Sequence, residues 1–289
     1  MVRMLCYAKL NLTLDVVAKR PDGYHELDSI FHTVSIYDRL TLSRDHVSDS
    51  ITVTCNKPIQ GENIVTAAAR IFFKITGIEP CGLKVNIEKN IPIQAGMGGG
   101  SADAAGMLHG LCALFHVELK PSLMHKAALY LGADVPFLLH GGTAIASGIG
   151  EQLYPVDCKQ TLHFLVVKPN EGLSTREIFS RVDVNNLSSW PDTHSFVAAL
   201  QEGRTRDLGA SAGNSLEPIA ADLLPVIRQI KTDLTNMDAI YASMTGTGSA
   251  VFGVFDSKLA ALRAYEKLVG KYDYVEYAFS VPNGVEVFR

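Results

Sequence analysis

A glycine-rich segment in the first half of the chain constrains the fold more than any other feature. It reads PIQAGMGGGSADAA over residues 92–105 and places four glycines in five positions. Apolar and polar residues alternate over residues 83–88, as in a half-buried strand. Residues 101–116 have the apolar spacing of a helix, and Ser101 is a residue type that often caps a helix N-terminus. The sequence therefore predicts a glycine loop that leads directly from a strand into a helix.

Such a loop is suited to bind an anion. The first turn of a helix presents unpaired N–H groups and a partial positive charge, and glycines let the backbone approach a ligand closely. We therefore prefer a phosphate-binding loop over a flexible loop followed by a buried helix. The lysine that ends a Walker A loop is missing after Gly100, where Ser101 follows. The G-x-G-x-x-G spacing also fails from both Gly96 and Gly98, which excludes a Rossmann-type NAD-binding oxidoreductase.

Composition indicates a globular protein that acts on small molecules. The chain has 289 residues, enough for one large domain or two ordinary ones, and its net charge of −4 with no basic run gives no support for nucleic-acid binding. No apolar stretch reaches membrane-spanning length, and no signal peptide is expected. The five cysteines are scattered without a C-x-x-C pair, which favours reduced thiols and a cytoplasmic location, and the nine histidines show no zinc-ligand spacing.

Two features near the N-terminus leave alternatives open. Leucines and valine alternate with polar residues over 10–16, so a strand would place Lys9, Asn11 and Thr13 on one face. That face either lines a pocket or is solvated. A Pro-Asp-Gly turn then precedes Tyr24 and His25, whose rings either stack on a flat ligand or form the rim of a core.

Three later features complete the pattern. Asp134 is a lone acid among apolar residues, either functional or a helix-capping aspartate. A second glycine loop over 245–249, read alone, is most simply a hairpin turn between two strands. Residues 63–76 are predicted as a helix between Asn63 and Gly77, and 223–234 as another. The polar composition of 154–160 places a domain boundary there, giving domains 1–157 and 158–289.

Together these segments resemble the GHMP kinase superfamily. The motifs that show the resemblance are AKLNL (8–12), RPDGYHEL (20–27), the glycine loop, GADVPF (132–137) and SMTGTG (243–248). Within the superfamily they are most similar to the 4-diphosphocytidyl-2-C-methyl-D-erythritol kinase family, and the DGYHEL element is the most specific of them. The resemblance covers the chain from residue 8 to about 255.

The resemblance implies an α+β fold of two domains with the active site in the cleft between them. The N-terminal domain would be like domain 2 of ribosomal protein S5, and the C-terminal domain would be a ferredoxin-like α/β domain. The implied reaction is phosphorylation of the 2-hydroxyl of a cytidine-diphosphate-linked methylerythritol in the methylerythritol phosphate route to isoprenoid precursors. ATP is the co-substrate and carries Mg²⁺ with it. The expected partners are small molecules, without nucleic acid or membrane, and the chain is expected to be a monomer or weak homodimer.

The resemblance also assigns residues. Asp134 would accept the proton of the hydroxyl, while Lys9 would orient Asp134 and stabilise the developing alkoxide. The ATP-binding residues would be Pro92, Ile93, Gln94, Ala95, Gly96, Met97, Gly98, Gly99, Gly100, Ser101, Ala102, Asn63 and Lys89. The substrate-binding residues would be Asn11, Tyr24, His25, Phe31, Thr175, Phe179, Gly246, Thr247 and Gly248. No acidic metal ligand is assigned, and Ser101 is the one candidate ligand for Mg²⁺.

Two departures from the family pattern fall in the glycine loop. Met97 replaces the usual leucine and keeps its volume, while Ala102 replaces a common serine and loses one hydroxyl. Two alternative functions remain at this point: another GHMP kinase of the mevalonate or homoserine type, and a non-catalytic nucleotide-binding protein on the same fold.

Overall fold

Two β-sheets organise the chain in this computed structural model, which describes residues 1–58, 61–188 and 190–288. The strands in these ranges are β1 (Val2–Lys19), β2 (His25–Arg44), β3 (Ile51–Cys55), β4 (Leu83–Glu88), β5 (Thr143–Gly148), β6 (Gln152–Pro155), β7 (His163–Lys168), β8 (Gly213–Asn214), β9 (Tyr241–Met244), β10 (Val251–Phe255), β11 (Tyr274–Phe279) and β12 (Val285–Phe288). The α-helices are α1 (Ile64–Thr76), α2 (Gly99–Phe115), α3 (Pro121–Leu131), α4 (Val135–His140), α5 (Thr175–Ser180), α6 (Thr193–Glu202), α7 (Glu217–Leu223), α8 (Val226–Asn236) and α9 (Lys258–Leu268). Short 3₁₀ segments lie at Val184–Asn186 and Thr205–Ala210.

The first sheet is built on the long antiparallel pair β1 and β2. Its strand order is β12-β1-β2-β4-β3, with β5 paired to β2, β6 to β5, and β8 to β1. Helix α2 packs across β1 and β2, and its small residues allow a close approach. A Cβ at Gly106 would lie 2.1 Å from the sulfur of Cys6, for example. The glycine loop therefore begins from β4 and ends on a helix fixed against the centre of this sheet.

The second sheet has the strand order β11-β7-β10-β9, and all of its pairs are antiparallel. In chain order this is the 4-1-3-2 arrangement of a ferredoxin-like fold, with α8 and α9 packed on the strands. A separate cluster of buried side chains lies here, and it includes Leu14 and Val16 from β1. The predicted α+β fold class is confirmed, with one sheet in each half of the chain's core.

The chain returns to the first sheet twice after the predicted domain boundary. Strand β8 pairs in parallel with β1 at Thr13 and Leu14, and β12 pairs with β1 over Arg3–Cys6, on the edge that β2 leaves open. The division at 157/158 stays a prediction, but β1 is in contact with segments from both sides of it.

Some local predictions hold and others are wrong. Asn63 accepts a hydrogen bond from the N–H of Val65 at 3.1 Å, and Gly77 ends α1 with φ +69°, as predicted. Ser101 is not the cap of α2. Gly98 holds that position with φ +70°, because the N–H of Ala102 already donates to the Gly98 carbonyl at 2.8 Å. The helix predicted over 223–234 corresponds to α8 but starts later, at Val226. Leu223 is the last residue of α7, and the two helices are separated at residues 224–225, where Pro225 cannot continue the backbone hydrogen bonding.

Within the described ranges, no helix is both long and apolar enough to cross a lipid bilayer. The five cysteines are free thiols.

Candidate active site

A cleft of about 1400 Å³ runs between the two sheets, larger than the roughly 300–1,000 Å³ of a usual single-ligand pocket. It brings together residues from six separate segments of the chain. The predicted site residues that line it are Lys9, Asn11, Tyr24, His25, Phe31, Asn63, Lys89, Pro92, Ile93, Gln94, Ala95, Gly96, Met97, Gly98, Gly99, Gly100, Ser101, Asp134, Thr175, Phe179, Gly246 and Thr247. Two predicted residues do not line it: Ala102 is buried within α2, and Gly248 faces Met244 and Leu173. For those two, the predicted ligand contacts have no support in the geometry.

The glycine loop presents backbone rather than side chains to the cleft. Gly96 and Gly98 have φ values of +74° and +70°, which other L-residues rarely adopt. A Cβ at Gly98 would lie 3.2 Å from both the Lys9 side chain and Leu138. Helix α2 then opens into the cleft at Gly99, where its first N–H groups have no partner inside the helix. This arrangement supports the anion-binding interpretation of the loop.

Lys9 and Asp134 meet beside this loop. The Lys9 Nζ lies 3.5 Å from Asp134 Oδ2 and donates to Asn11 Oδ1 at 2.6 Å. It also lies 4.7 Å from the centre of the Phe31 ring. The Lys9 side chain is 5% exposed and that of Asp134 is 30% exposed, so the carboxylate is the more open partner. The solvated alternative for the strand face is therefore wrong, because Lys9 and Asn11 line the cleft and Thr13 is fully buried.

Asp134 precedes α4 at the capping position, but its side chain makes no capping hydrogen bond. The alternative role of helix cap is therefore not supported by the geometry. The carboxylate is free to point at Lys9 and the cleft. Its place at the start of α4 puts it opposite β1, so the two groups come from different layers of the first domain.

The second glycine loop packs directly on the first. Thr245 Oγ1 accepts a hydrogen bond from the Asn11 N–H at 3.0 Å and donates to the Gly96 carbonyl at 3.2 Å. Further backbone bonds join Ser249 to Gln94 and Ala250 to Ala95. The segment does connect β9 to its antiparallel neighbour β10, as the hairpin interpretation held. It is also part of the cleft wall, which that interpretation did not predict.

Aromatic rings gather at the other end of the cleft. The rings of His25 and Phe179 stack with centroids 5.2 Å apart at an interplanar angle of 24°, so no base fits between them in this arrangement. The Nε2 atom of His25 is buried without a hydrogen-bond partner among the described residues. Burial and the nearby Lys19 charge lower the pKa of His25, which keeps the ring neutral at pH 7. Tyr24 is 61% exposed and lines the same end of the cleft.

The ammonium group of Lys89 is held by two carboxylates that sequence reasoning missed. Lys89 Nζ donates to Asp38 Oδ2 and, at 2.8 Å, to Asp103 Oδ2. Burial opposes the charge on Lys89, but the two carboxylates outweigh it and raise its pKa. Burial, together with the Asp38 charge, raises the pKa of Asp103 to about 7 against the opposing effect of Lys89. Asp38 lies 51 residues from Lys89 along the chain, so no local pattern could have indicated the pair.

Comparison with known proteins bears directly on this geometry. Profiles described as "GHMP kinases N terminal domain" and "GHMP kinases C terminal" match residues 63–142 and 196–273. A 4-diphosphocytidyl-2-C-methyl-D-erythritol kinase from Caldicellulosiruptor saccharolyticus is 39% identical over 265 residues, which covers 91% of each chain. This chain belongs to the 4-diphosphocytidyl-2-C-methyl-D-erythritol kinase family.

Solved structures agree with that assignment. A crystal structure of a 4-(cytidine 5'-diphospho)-2C-methyl-D-erythritol kinase matches with a TM-score of 0.81 and 32% identity, covering 97% of this chain and 100% of the other. Homoserine kinase from Cytophaga hutchinsonii matches with a TM-score of 0.76 at 16% identity, covering 99% and 97%. At that identity the second likeness concerns the fold alone. As a member of this kinase family, the chain is an ATP-dependent GHMP kinase, and the non-catalytic alternative is set aside.

Proposed function

We propose that this kinase transfers the γ-phosphoryl group of ATP to the 2-hydroxyl group of 4-diphosphocytidyl-2-C-methyl-D-erythritol, in the methylerythritol phosphate route to isoprenoid precursors. The observation that carries the proposal is the Lys9–Asp134 pair, 3.5 Å apart, beside the glycine loop and in the same cleft as Tyr24 and His25. The relatives named above, which are kinases of this cytidyl compound by name, support the choice of acceptor.

The donor end of the site uses backbone groups. The loop over 96–101 would hold the β- and γ-phosphates with its N–H groups and the start of α2. Asn63 lines the same end while its side-chain oxygen caps α1, so we place it near the adenine through its remaining amide group. Lys89 would act there through its aliphatic stem, since its ammonium is bound to Asp38 and Asp103.

Mg²⁺ would enter as the magnesium complex of ATP. Where residues are described, no group of three or more His, Cys, Asp or Glu side chains is placed to hold a metal ion. Mg²⁺ keeps several waters and readily takes phosphate oxygens, so few protein ligands are needed. The Ser101 hydroxyl, which lines the cleft close to Gly132, is the candidate we retain.

Phosphoryl transfer needs a proton acceptor and a stabilising cation beside the hydroxyl. The substrate oxygen forms a bond to the γ-phosphorus as the bond from that phosphorus to the β–γ bridging oxygen breaks, and the hydroxyl proton passes to Asp134. Lys9, oriented by its 2.6 Å hydrogen bond to Asn11, would hold Asp134 in place and stabilise the negative charge that grows on the alcohol oxygen. Because a tertiary alcohol is a very weak acid, proton transfer would accompany attack rather than precede it.

The end of the cleft that holds Tyr24, His25 and Phe179 would bind the cytosine of the acceptor substrate. The unpartnered Nε2 of the neutral His25 ring is available for a hydrogen bond to the base edge. Tyr24 would cover one face of the base, with the His25–Phe179 pair fixing the position of the His25 ring. Thr175 and Thr247, whose hydroxyl oxygens are 3.0 Å apart, join this end to the second glycine loop, and Phe31 and Asn11 complete the wall near Lys9.

The test is turnover of ATP with the cytidyl substrate by the wild type and by Asp134→Asn. We expect kcat to fall by about 10³-fold in Asp134→Asn, with ATP affinity nearly unchanged, because the variant keeps the shape and loses the base. Asp256→Asn is the matched control, since Asp256 pairs with Arg206 on the exposed surface and should leave kcat unchanged. Unaltered turnover in Asp134→Asn would remove this residue from its proposed role.

A substrate panel separates the two kinase alternatives. Phosphorylation of mevalonate or homoserine, with none of the cytidyl compound, would contradict the proposed acceptor and leave the donor site standing. The expected monomer or weak homodimer is checked by sedimentation velocity on the same samples.

A further inference from the structure

One buried amide fixes the backbone of the second glycine loop. Asn214 lies in β8, is 2% exposed and does not line the cleft. Its Nδ2 donates to the Met244 carbonyl at 2.7 Å and to the Gly246 carbonyl at 2.9 Å. Its Oδ1 accepts from the Leu216 N–H at 2.9 Å, so all three bonds hold backbone groups. The side chain is therefore fully used to set the orientation of this loop.

The position of Asn214 is itself fixed by the first sheet. Strand β8 pairs in parallel with β1 at Leu14, and the next residue, Ser215, donates its N–H to the Leu14 carbonyl at 2.8 Å. Strand β1 also carries Lys9 and Asn11. One strand thus positions both the catalytic lysine and, through Asn214, the loop that faces it.

The bond to Gly246 determines where the next amide points. The peptide bond between Gly246 and Thr247 is trans, so its carbonyl and its N–H point in opposite directions. Asn214 holds the carbonyl away from the cleft, and the Thr247 N–H is therefore directed to the other side, where Gly246 and Thr247 line the cleft. That N–H has no hydrogen-bond acceptor among the described residues, although Thr247 is only 8% exposed. A backbone donor that faces the cleft without a protein acceptor is available to a ligand.

We propose that Asn214 is a positioning residue that aims the Thr247 N–H at an oxygen of the phosphoryl group in transfer. The preceding residue, Thr245, is bonded to Asn11 and to the Gly96 carbonyl, next to Lys9 and the phosphate-binding loop. The inference rests on the proposed phosphoryl transfer but not on the identity of the acceptor alcohol. A preorganised donor aimed at developing charge acts mainly on the transition state.

The test compares Asn214→Asp with the wild type. Aspartate keeps the size and the Oδ1 acceptor, but it loses both N–H donors and sets a carboxylate against two carbonyl oxygens. We expect kcat to fall about 100-fold, with KM for ATP and for the acceptor changed by less than about threefold. Ile227→Val is the stability control, because it trims a buried side chain on α8, outside both glycine loops. It should lower the melting temperature and leave kcat unchanged.

A second readout does not depend on the acceptor. Binding of ADP with aluminium fluoride, which mimics the phosphoryl group in transfer, should weaken about 100-fold in Asn214→Asp, while binding of ADP alone stays unchanged. If Asn214→Asp does not fold, Asn214→Ser, which keeps one donor, should show a smaller loss in the same direction. Retention of kcat and of aluminium-fluoride affinity within threefold, with only a lower melting temperature, would overturn the proposal. A wild type that phosphorylates a different alcohol would contradict the proposed acceptor and leave this readout intact.

Discussion

Replacing Gly96 with alanine tests whether the two glycine loops must touch through their backbones. Gly96 has φ +74°, and a Cβ there would lie 2.1 Å from the Thr245 carbonyl oxygen. Real Cβ contacts essentially never fall below 3.0 Å, so the loops have to separate locally by about 0.9 Å. The left-handed backbone alone costs an alanine about 1–2 kcal/mol. The displacement adds a separate effect on geometry, because it shifts the loop that we place over the transferring phosphoryl group.

The two effects appear in different measurements. A misplacement of about 1 Å commonly reduces turnover about 100-fold, so we expect kcat, measured by coupled release of ADP, to fall by about that factor. The backbone strain should lower the melting temperature by only a few degrees. Gly270→Ala is the matched control. Gly270 has φ +83°, and a Cβ there meets no atom within 4 Å, so this variant carries the strain without the collision.

The two glycine variants can also contradict the role proposed for the loop contact. If Gly96→Ala and Gly270→Ala show the same small loss of stability and both keep wild-type kcat, contact between the loops does not position the site. A loss of kcat in both would instead point to a general effect of strain on the fold.

Three further predictions concern titration and packing. The pKa of Asp103 is raised to about 7 by burial and by Asp38, so the group favours folding when protonated. Its contribution is therefore lost as pH rises from about 4 to 7. Chemical denaturation should show stability falling from pH 5 to pH 8 by about 3 kcal/mol or less, and Asp103→Asn should lack this fall. The pKa of His25 lies below its usual 6.5, so KM for the cytidyl substrate should stay constant above pH 6.5 and rise only at lower pH. The His25→Gln variant should not show this rise. Gly106→Ala, whose Cβ would meet the Cys6 sulfur at 2.1 Å, should lower the free energy of unfolding by about 1–3 kcal/mol with kcat unchanged.

Predictions from sequence succeeded where the signal was local. Helix α1 begins after Asn63 and ends before Gly77, because a capping side chain and a left-handed glycine act within a few residues. The predicted start of α2 is wrong by two residues, because glycine is a poor helix residue by propensity, yet Gly99 and Gly100 form the first turn. The pairing of Lys9 with Asp134 was predictable from the resemblance to a kinase family and not from hydrophobic periodicity.

Long-range polar contacts were beyond the reach of sequence reasoning. Asn214 contacts a loop residue 32 positions away, and Asp38 pairs with Lys89 over 51 residues. Neither Asn214 nor Asp38 lies in a motif or periodic pattern from which its contacts could be predicted. Their roles depend on which strands become neighbours, as when β8 pairs with β1, and that is fixed only by the complete fold.

The pairing of Lys89 also explains why this nucleotide site is built from glycines. Lys89 follows β4 directly, a place from which it could reach phosphate, but its charge is balanced by Asp38 and Asp103. We therefore expect affinity for the ATP phosphates to come largely from backbone N–H groups and the start of α2. Amides can crowd around a phosphate only where no side chains intervene, and the contact between Gly96 and Gly246 brings two such loops together. The ammonium group of Lys9, held by Asn11 and Asp134, is the cation that we place beside the reacting hydroxyl rather than on the nucleotide.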